Sequence, residues 1–230
     1  MFGGCTSLTN APILPAMTLA ASCYNSMFCG CTSLTTAPAL PATTLATSCY
    51  INMFSNCTSL VTPPSLPATT LMRYCYSNMF YGCTNLTTAP ALLATTLATN
   101  CYEYMFYGCS KLNNIKMLAT DISASSCLMS WVYGVSSTGT FIKNTSMTSL
   151  TTGQSGIPSG WTVVNDGESG GGGQFYVNHD GFGDGTFTFT IDSPKTWNEC
   201  VGLKDDTGVY EITYEEVVPG VYRFMINGYK

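Results

Sequence analysis

The sequence predicts a repeat solenoid of 26-residue coils, made of short strands and helical turns, followed by a small all-β module. Three observations predict it. Met-Phe pairs stand at 1, 27, 53, 79 and 105, a strict period of 26. Cysteines, leucines and prolines recur with the same period. Beyond residue 165 the repeat is gone, and charge and two-residue alternation take its place.

Within each coil the columns have separate physical meanings. Four residues after each Met comes a cysteine (Cys5, Cys31, Cys57, Cys83, Cys109), and three residues later a leucine (Leu8, Leu34, Leu60, Leu86, Leu112). A second cysteine column runs Cys23, Cys49, Cys75, Cys101 and Cys127, with Tyr24, Tyr50, Tyr76 and Tyr102 beside it. Recurring apolar positions of this kind stack on their equivalents in neighbouring coils and build one continuous core. Before the first cysteine column stand Gly4, Gly30, Asn56, Gly82 and Gly108, a set that tolerates positive φ, so each coil is expected to turn there through a left-handed residue. Pro12, Pro38, Pro64 and Pro90 mark an extended segment that cannot be a regular buried ladder. The stretch from the second cysteine column to Met-Phe, Ser48 to Phe54 in one copy, is read as a helical turn closing the coil.

These columns, in order and spacing, resemble the BspA-like leucine-rich repeats of bacterial surface proteins over roughly residues 1–130, with Cys31 to Asn56 as the clearest copy. The coil is a few residues longer than the commonest family form, and Met stands before Phe where a smaller residue is usual. The resemblance implies a leucine-rich-repeat-type solenoid and a role in adhesion at the cell surface or after secretion. The implied partner is a protein or glycan on a host or bacterial surface. It implies no catalytic residues and no cofactor.

Composition narrows the function classes. Only 9% of residues are charged, against about 25% in ordinary globular domains. Four cations against two anions leave +2 over residues 1–165, and four against eleven leave −7 beyond. No basic patch exists to release counterions from a nucleic acid, and no apolar run is long enough to cross a membrane. The cysteine columns are read as buried free thiols, since equivalent side chains in a ladder point the same way and their spacing is no zinc signature. Cys29 is the exception, expected to be exposed. The tyrosine column has two readings. Its rings could be packing between coils, or an exposed row suited to sugar rings or a protein partner, which makes Tyr24, Tyr50, Tyr76 and Tyr102 the candidate binding residues. Tyr81, Tyr104 and Tyr107 add aromatic character in the later coils. His179 is the single histidine and sits in a glycine-rich stretch with Asp180 and Asp184, which reads first as a loop. Neither a catalytic set nor a metal site is expected.

The organisation expected is a solenoid over 1–130, a C-terminal cap over 131–165, a glycine-rich linker over 166–173 and an acidic β-module over 174–230. In the module, Tyr210, Ile212 and Tyr214 alternate with Glu211, Thr213 and Glu215, and Pro219-Gly220 signals the turn of a hairpin. Met1-Phe2 falls on the Met-Phe column, so the chain starts inside a coil and is expected to be a fragment of a longer repeat protein. The function expected is a non-enzymatic binding or adhesion module, with a phage structural or receptor-binding tail component as the alternative.

Overall fold

The computed structural model describes residues 2–166 and, beyond them, the strand residues 187–190, 204–205, 208–209, 211–218 and 221–227. The chain divides into two units, Met1–Gly170 and Gly171–Lys230.

The first unit corrects the predicted fold class. Among its described residues there is no helix. Its regular strands are three short parallel ones, β1 (Asn114–Met117), β2 (Thr140–Lys143) and β3 (Thr162–Asn165), in one open sheet of order β1-β2-β3. A leucine-rich-repeat solenoid with helical turns is therefore not the architecture.

Backbone hydrogen bonding gives the reason. Over the stretch read as helical, an α-helix would bond each N–H to the carbonyl four residues back. Here alternate residues do different things. Cys49, Ile51, Met53, Ser55 and Cys57 each donate to the carbonyl three residues earlier, closing a train of overlapping turns. Ser48, Tyr50, Asn52, Phe54 and Asn56 donate instead to Arg73, Cys75, Ser77, Met79 and Tyr81, each 25 residues on, at 2.6–3.0 Å. Every fourth residue is left-handed: φ is 57° at Ser48, 55° at Asn52 and 57° at Asn56. No helix survives such a sequence of dihedrals. The product is a ribbon of turns, hydrogen-bonded edge to edge with the same ribbon in the next 26-residue layer.

The left-handed residue expected at the glycine column is present, with φ of 77°, 73°, 57°, 68° and 73° at Gly4, Gly30, Asn56, Gly82 and Gly108. Across the proline segments, layers meet only through isolated parallel bridges such as Thr36↔Thr62 and Thr18↔Thr44. A regular strand first forms in β1, where Lys116 takes the place of Pro90 and restores the missing N–H. β1 pairs β2 with Ile115 opposite Phe141, and β2 pairs β3 with Phe141 opposite Val163.

Inside the layers the side chains form columns. Phe2, Phe28, Phe54, Phe80 and Phe106 stack with ring centroids 5.7 Å apart. Tyr24, Tyr50, Tyr76 and Tyr102 stack at 5.8–6.1 Å. Both spacings exceed the roughly 4.8 Å between paired strands, so the rings are slid past one another in the offset arrangement that their quadrupoles favour. Both columns end on Trp131, whose indole lies 6.5 Å from Tyr102 and 6.0 Å from Phe106. Phe141 meets Trp131 edge-on at 6.2 Å. One bicyclic ring thus closes two columns.

In the second unit β4 (Phe187–Thr190), β8 (Val221–Asn227) and β7 (Glu211–Val218) form an antiparallel sheet in that order. β5 (Lys204–Asp205) pairs β6 (Gly208–Val209). The turn expected at Pro219-Gly220 lies outside the described residues, and the strands on either side of it pair with Val218 opposite Val221. The glycine run Gly170–Gly173 also lies outside them.

Candidate functional site

The structure removes three of the four candidate binding tyrosines from the surface. Tyr50, Tyr76 and Tyr102 are each 1% exposed. Tyr24, in the first layer, is half-buried. The ribbon of turns explains the burial, because inward positions come in adjacent pairs every four residues: Cys49-Tyr50, Met53-Phe54, then Cys57. Burial pushes the Tyr50, Tyr76 and Tyr102 phenols well above their ordinary range. These rings are core and form no surface row.

The cysteines are free thiols among the described residues. Cys31, Cys57, Cys83 and Cys109 are fully buried, and each thiol donates to a phenylalanine carbonyl of the preceding layer: Phe2, Phe28, Phe54 and Phe80, at 3.0–3.1 Å. That carbonyl also accepts the backbone N–H of the cysteine three residues on, as Phe54 does from Cys57. A small side chain with a weak donor fills the column and satisfies the second lone pair. Burial raises Cys57 and Cys109 to about 12 and Cys49 to about 11, so these thiols stay protonated and unreactive at neutral pH. Cys29, expected to be exposed, is half-buried.

A different aromatic column reaches the surface. Tyr81 stacks on Tyr107 at 4.9 Å with ring planes 3° apart, and Tyr107 on Tyr133 at 4.8 Å and 21°. Tyr81 and Tyr107 are half-exposed, and Tyr133 is 48% exposed. The spacing equals the separation of paired strands, so these rings lie squarely above one another and present a straight row of edges and hydroxyls. Tyr104 meets Tyr107 edge-on at 5.9 Å, and its hydroxyl points at the Met129 sulfur at 3.6 Å. Tyr104 also holds φ at 51°, a strained dihedral for a bulky residue, where the equivalent positions are Ser26, Asn52, Asn78 and Ser130. Burial in the stack pushes the Tyr107 phenol up, with the Tyr133 and Tyr81 phenols adding to it. A protonated phenol both donates and accepts.

Beside the last ring of the column lies an open depression of about 190 Å³, lined by Tyr133, Gly134, Ser136, Ser137, Gln154 and Ser159 among others. None of its lining residues is charged. Its walls are held in place: Trp161 Nε1 donates to the Ser136 carbonyl at 2.7 Å, and Val132 N to the Gln154 carbonyl at 3.2 Å. No group of His, Cys, Asp and Glu among the described residues could hold a metal ion. No helix among them is long and apolar enough to cross a membrane. His179, Asp180 and Asp184 lie outside the described residues.

Sequence reasoning noted Tyr81, Tyr104 and Tyr107 only as added aromatic character and missed Tyr133. The signal was the column itself. At that position successive copies read Gly3, Cys29, Ser55, Tyr81, Tyr107 and Tyr133. No protein-family model, curated protein or solved structure matches the chain.

Proposed function

We propose that this chain is a non-enzymatic binding module of the adhesin-like kind, acting at a bacterial cell surface or after secretion. Its recognition surface is the column Tyr81, Tyr107 and Tyr133 with Tyr104 at its flank, and its ligand is a protein or glycan. The cell-surface setting rests on the resemblance of the repeat columns to BspA-like repeats.

One observation carries the site. The backbone accepts Gly3, Cys29 and Ser55 at the position where three consecutive later layers carry tyrosine. Packing does not require a ring there, and three half-exposed rings on an almost uncharged surface cost solubility. Tyrosine is also the side chain that gives large, rigid, amphipathic contact area with little loss of rotamer freedom. The test is a glycan and protein array probed with the full chain and with a Tyr81→Ser/Tyr107→Ser/Tyr133→Ser variant. Selective binding by the first and its loss in the second, at unchanged stability, supports the reading. Binding unaffected by the three changes overturns it.

A further inference from the structure

We propose that the depression beside Tyr133 is a subsite for one neutral sugar ring of a longer glycan that continues along the tyrosine column. The inference rests on the recognition-surface reading above and names its ligand class.

Tyr133 is the last ring of its stack. Tyr81 stacks on Tyr107 and Tyr107 on Tyr133, and among the described residues no further ring stacks on Tyr133. With no further ring of the column covering it, Tyr133 lines the depression together with Ser159. An aromatic face of this kind takes the apolar C–H side of a pyranose. The rim supplies neutral polar partners. The Gln154 amide and the Ser137 and Ser159 hydroxyls make no hydrogen bond among the described residues, so all three are available to sugar hydroxyls. The rim is also pre-organised. Its backbone is pinned by the Trp161 and Val132 bonds and by Gly153 N to the Ile157 carbonyl at 2.8 Å, so binding orders little that is mobile.

Size and charge select among ligands. About 190 Å³ lies below the roughly 300–1,000 Å³ of clefts that engulf drug-sized molecules, so the depression takes one ring rather than a whole ligand. With no charged side chain in its lining, it offers nothing to a sialic acid carboxylate or a sulfate that would repay their desolvation. The column then gives a longer glycan further contacts at the Tyr107 and Tyr81 edges.

The experiment uses the full chain on an array of neutral, sialylated and sulfated oligosaccharides, followed by calorimetric titration of the best neutral oligosaccharide at low and high salt. The expected result is binding of neutral glycans with little salt dependence. Tyr133→Ala should weaken it about 30-fold and Gln154→Ala up to about tenfold. Tyr133→Phe should retain most of it, since the ring face and not the hydroxyl carries the contact. Tyr81→Ser should weaken long oligosaccharides and leave short ones unchanged. Neutral glycan binding lost with Tyr81→Ser and Tyr107→Ser but indifferent to Gln154→Ala and Tyr133→Ala overturns the subsite and leaves the recognition surface standing. A protein partner bound through the column, with no glycan bound, does the same. No column-dependent binding of any kind overturns both.

Discussion

Trp131 donates its indole Nε1–H to the Gly156 carbonyl at 2.8 Å, and this bond fixes the ring that closes the phenylalanine and tyrosine columns together. Trp131 is fully buried and occupies the position of Met105 one layer earlier. A ring, not a thioether, is needed there because two aromatic columns end on it side by side.

Trp131→Ala should therefore cost about 3–5 kcal/mol of stability. Trp131→Phe should cost less but more than its lost area implies, because it leaves the Gly156 carbonyl without its donor. Urea unfolding of the full chain, followed by circular dichroism, measures both. A cost near zero for Trp131→Ala would show that the columns do not depend on this cap.

Gly156 is itself constrained. A Cβ at that position would collide with the Thr151 carbonyl, to which backbone the neighbouring Ile157 N–H also bonds at 2.9 Å. Gly156→Ala should destabilise by about 1–3 kcal/mol, as overpacking does. The same urea series reads it, and an unchanged midpoint would mean that the turn 151–157 shifts freely.

The thiols give a prediction in pH. Unfolded cysteines titrate near 9.0, whereas burial holds Cys57, Cys101 and Cys109 to about 12 in the fold. Below pH 9 both states keep the proton and stability is level. Between 9 and 12 the unfolded chain releases protons that the folded one retains, so stability falls as pH rises, each thiol contributing up to about 1.4 kcal/mol per pH unit. Among the described cysteines, alkylation at neutral pH should modify Cys5 first and the half-buried Cys23 and Cys29 next, sparing Cys57, Cys83 and Cys109 until urea is added. Mass spectrometry of the labelled peptides tests it, and early labelling of Cys83 would contradict the buried ladder.

The repeat, its left-handed glycine column and the burial of its cysteines from the second layer on were legible in the sequence, because a side chain that must stack on its own equivalent is forced to recur. In the first layer Cys5 is exposed and Cys23 half-buried, against the expectation of buried columns throughout. The helical turn was misread for a definite reason. Inward pairs at Cys49-Tyr50 and Met53-Phe54 recur every four residues, close to the 3.6 of a helix. The contrary signal lies between them, in Ser48, Asn52 and Asn56 and their equivalents, of which only the Asn56 column carries the glycines that mark a left-handed residue. Tyr74 and Tyr104 stand in two of these left-handed columns, which hid the pattern further.

The candidate site was misplaced by the same logic applied backwards. Constancy down the column made Tyr50, Tyr76 and Tyr102 look like a site, although constancy down a stacked column is the mark of the core. A residue that contacts a ligand has no such obligation, so its column can read glycine, cysteine and serine before it reads tyrosine. Asn113 and Gly139 were also silent in the sequence, although the Asn113 carbonyl leaves no space for a Cβ at Gly139.

Surface tyrosines that serve recognition should be dispensable to the fold. Tyr107→Ser copies what Ser55 already does two layers earlier, and it should change stability by less than about 1 kcal/mol despite removing two stacked contacts. Tyr76→Ser, in the buried column, should cost about 3–5 kcal/mol. Thermal unfolding of the two variants side by side checks the contrast, and equal losses would make the surface column structural.

A recognition surface that the fold does not need is tested by measuring stability and binding in one pair of proteins. The full chain and its Tyr81→Ser/Tyr107→Ser/Tyr133→Ser variant are unfolded in urea and, in parallel, probed on a glycan and protein array. Nearly equal unfolding midpoints and selective binding by the unaltered chain alone are the expected result. A variant that binds as well as the original, or one that loses binding only because it has unfolded, would contradict it.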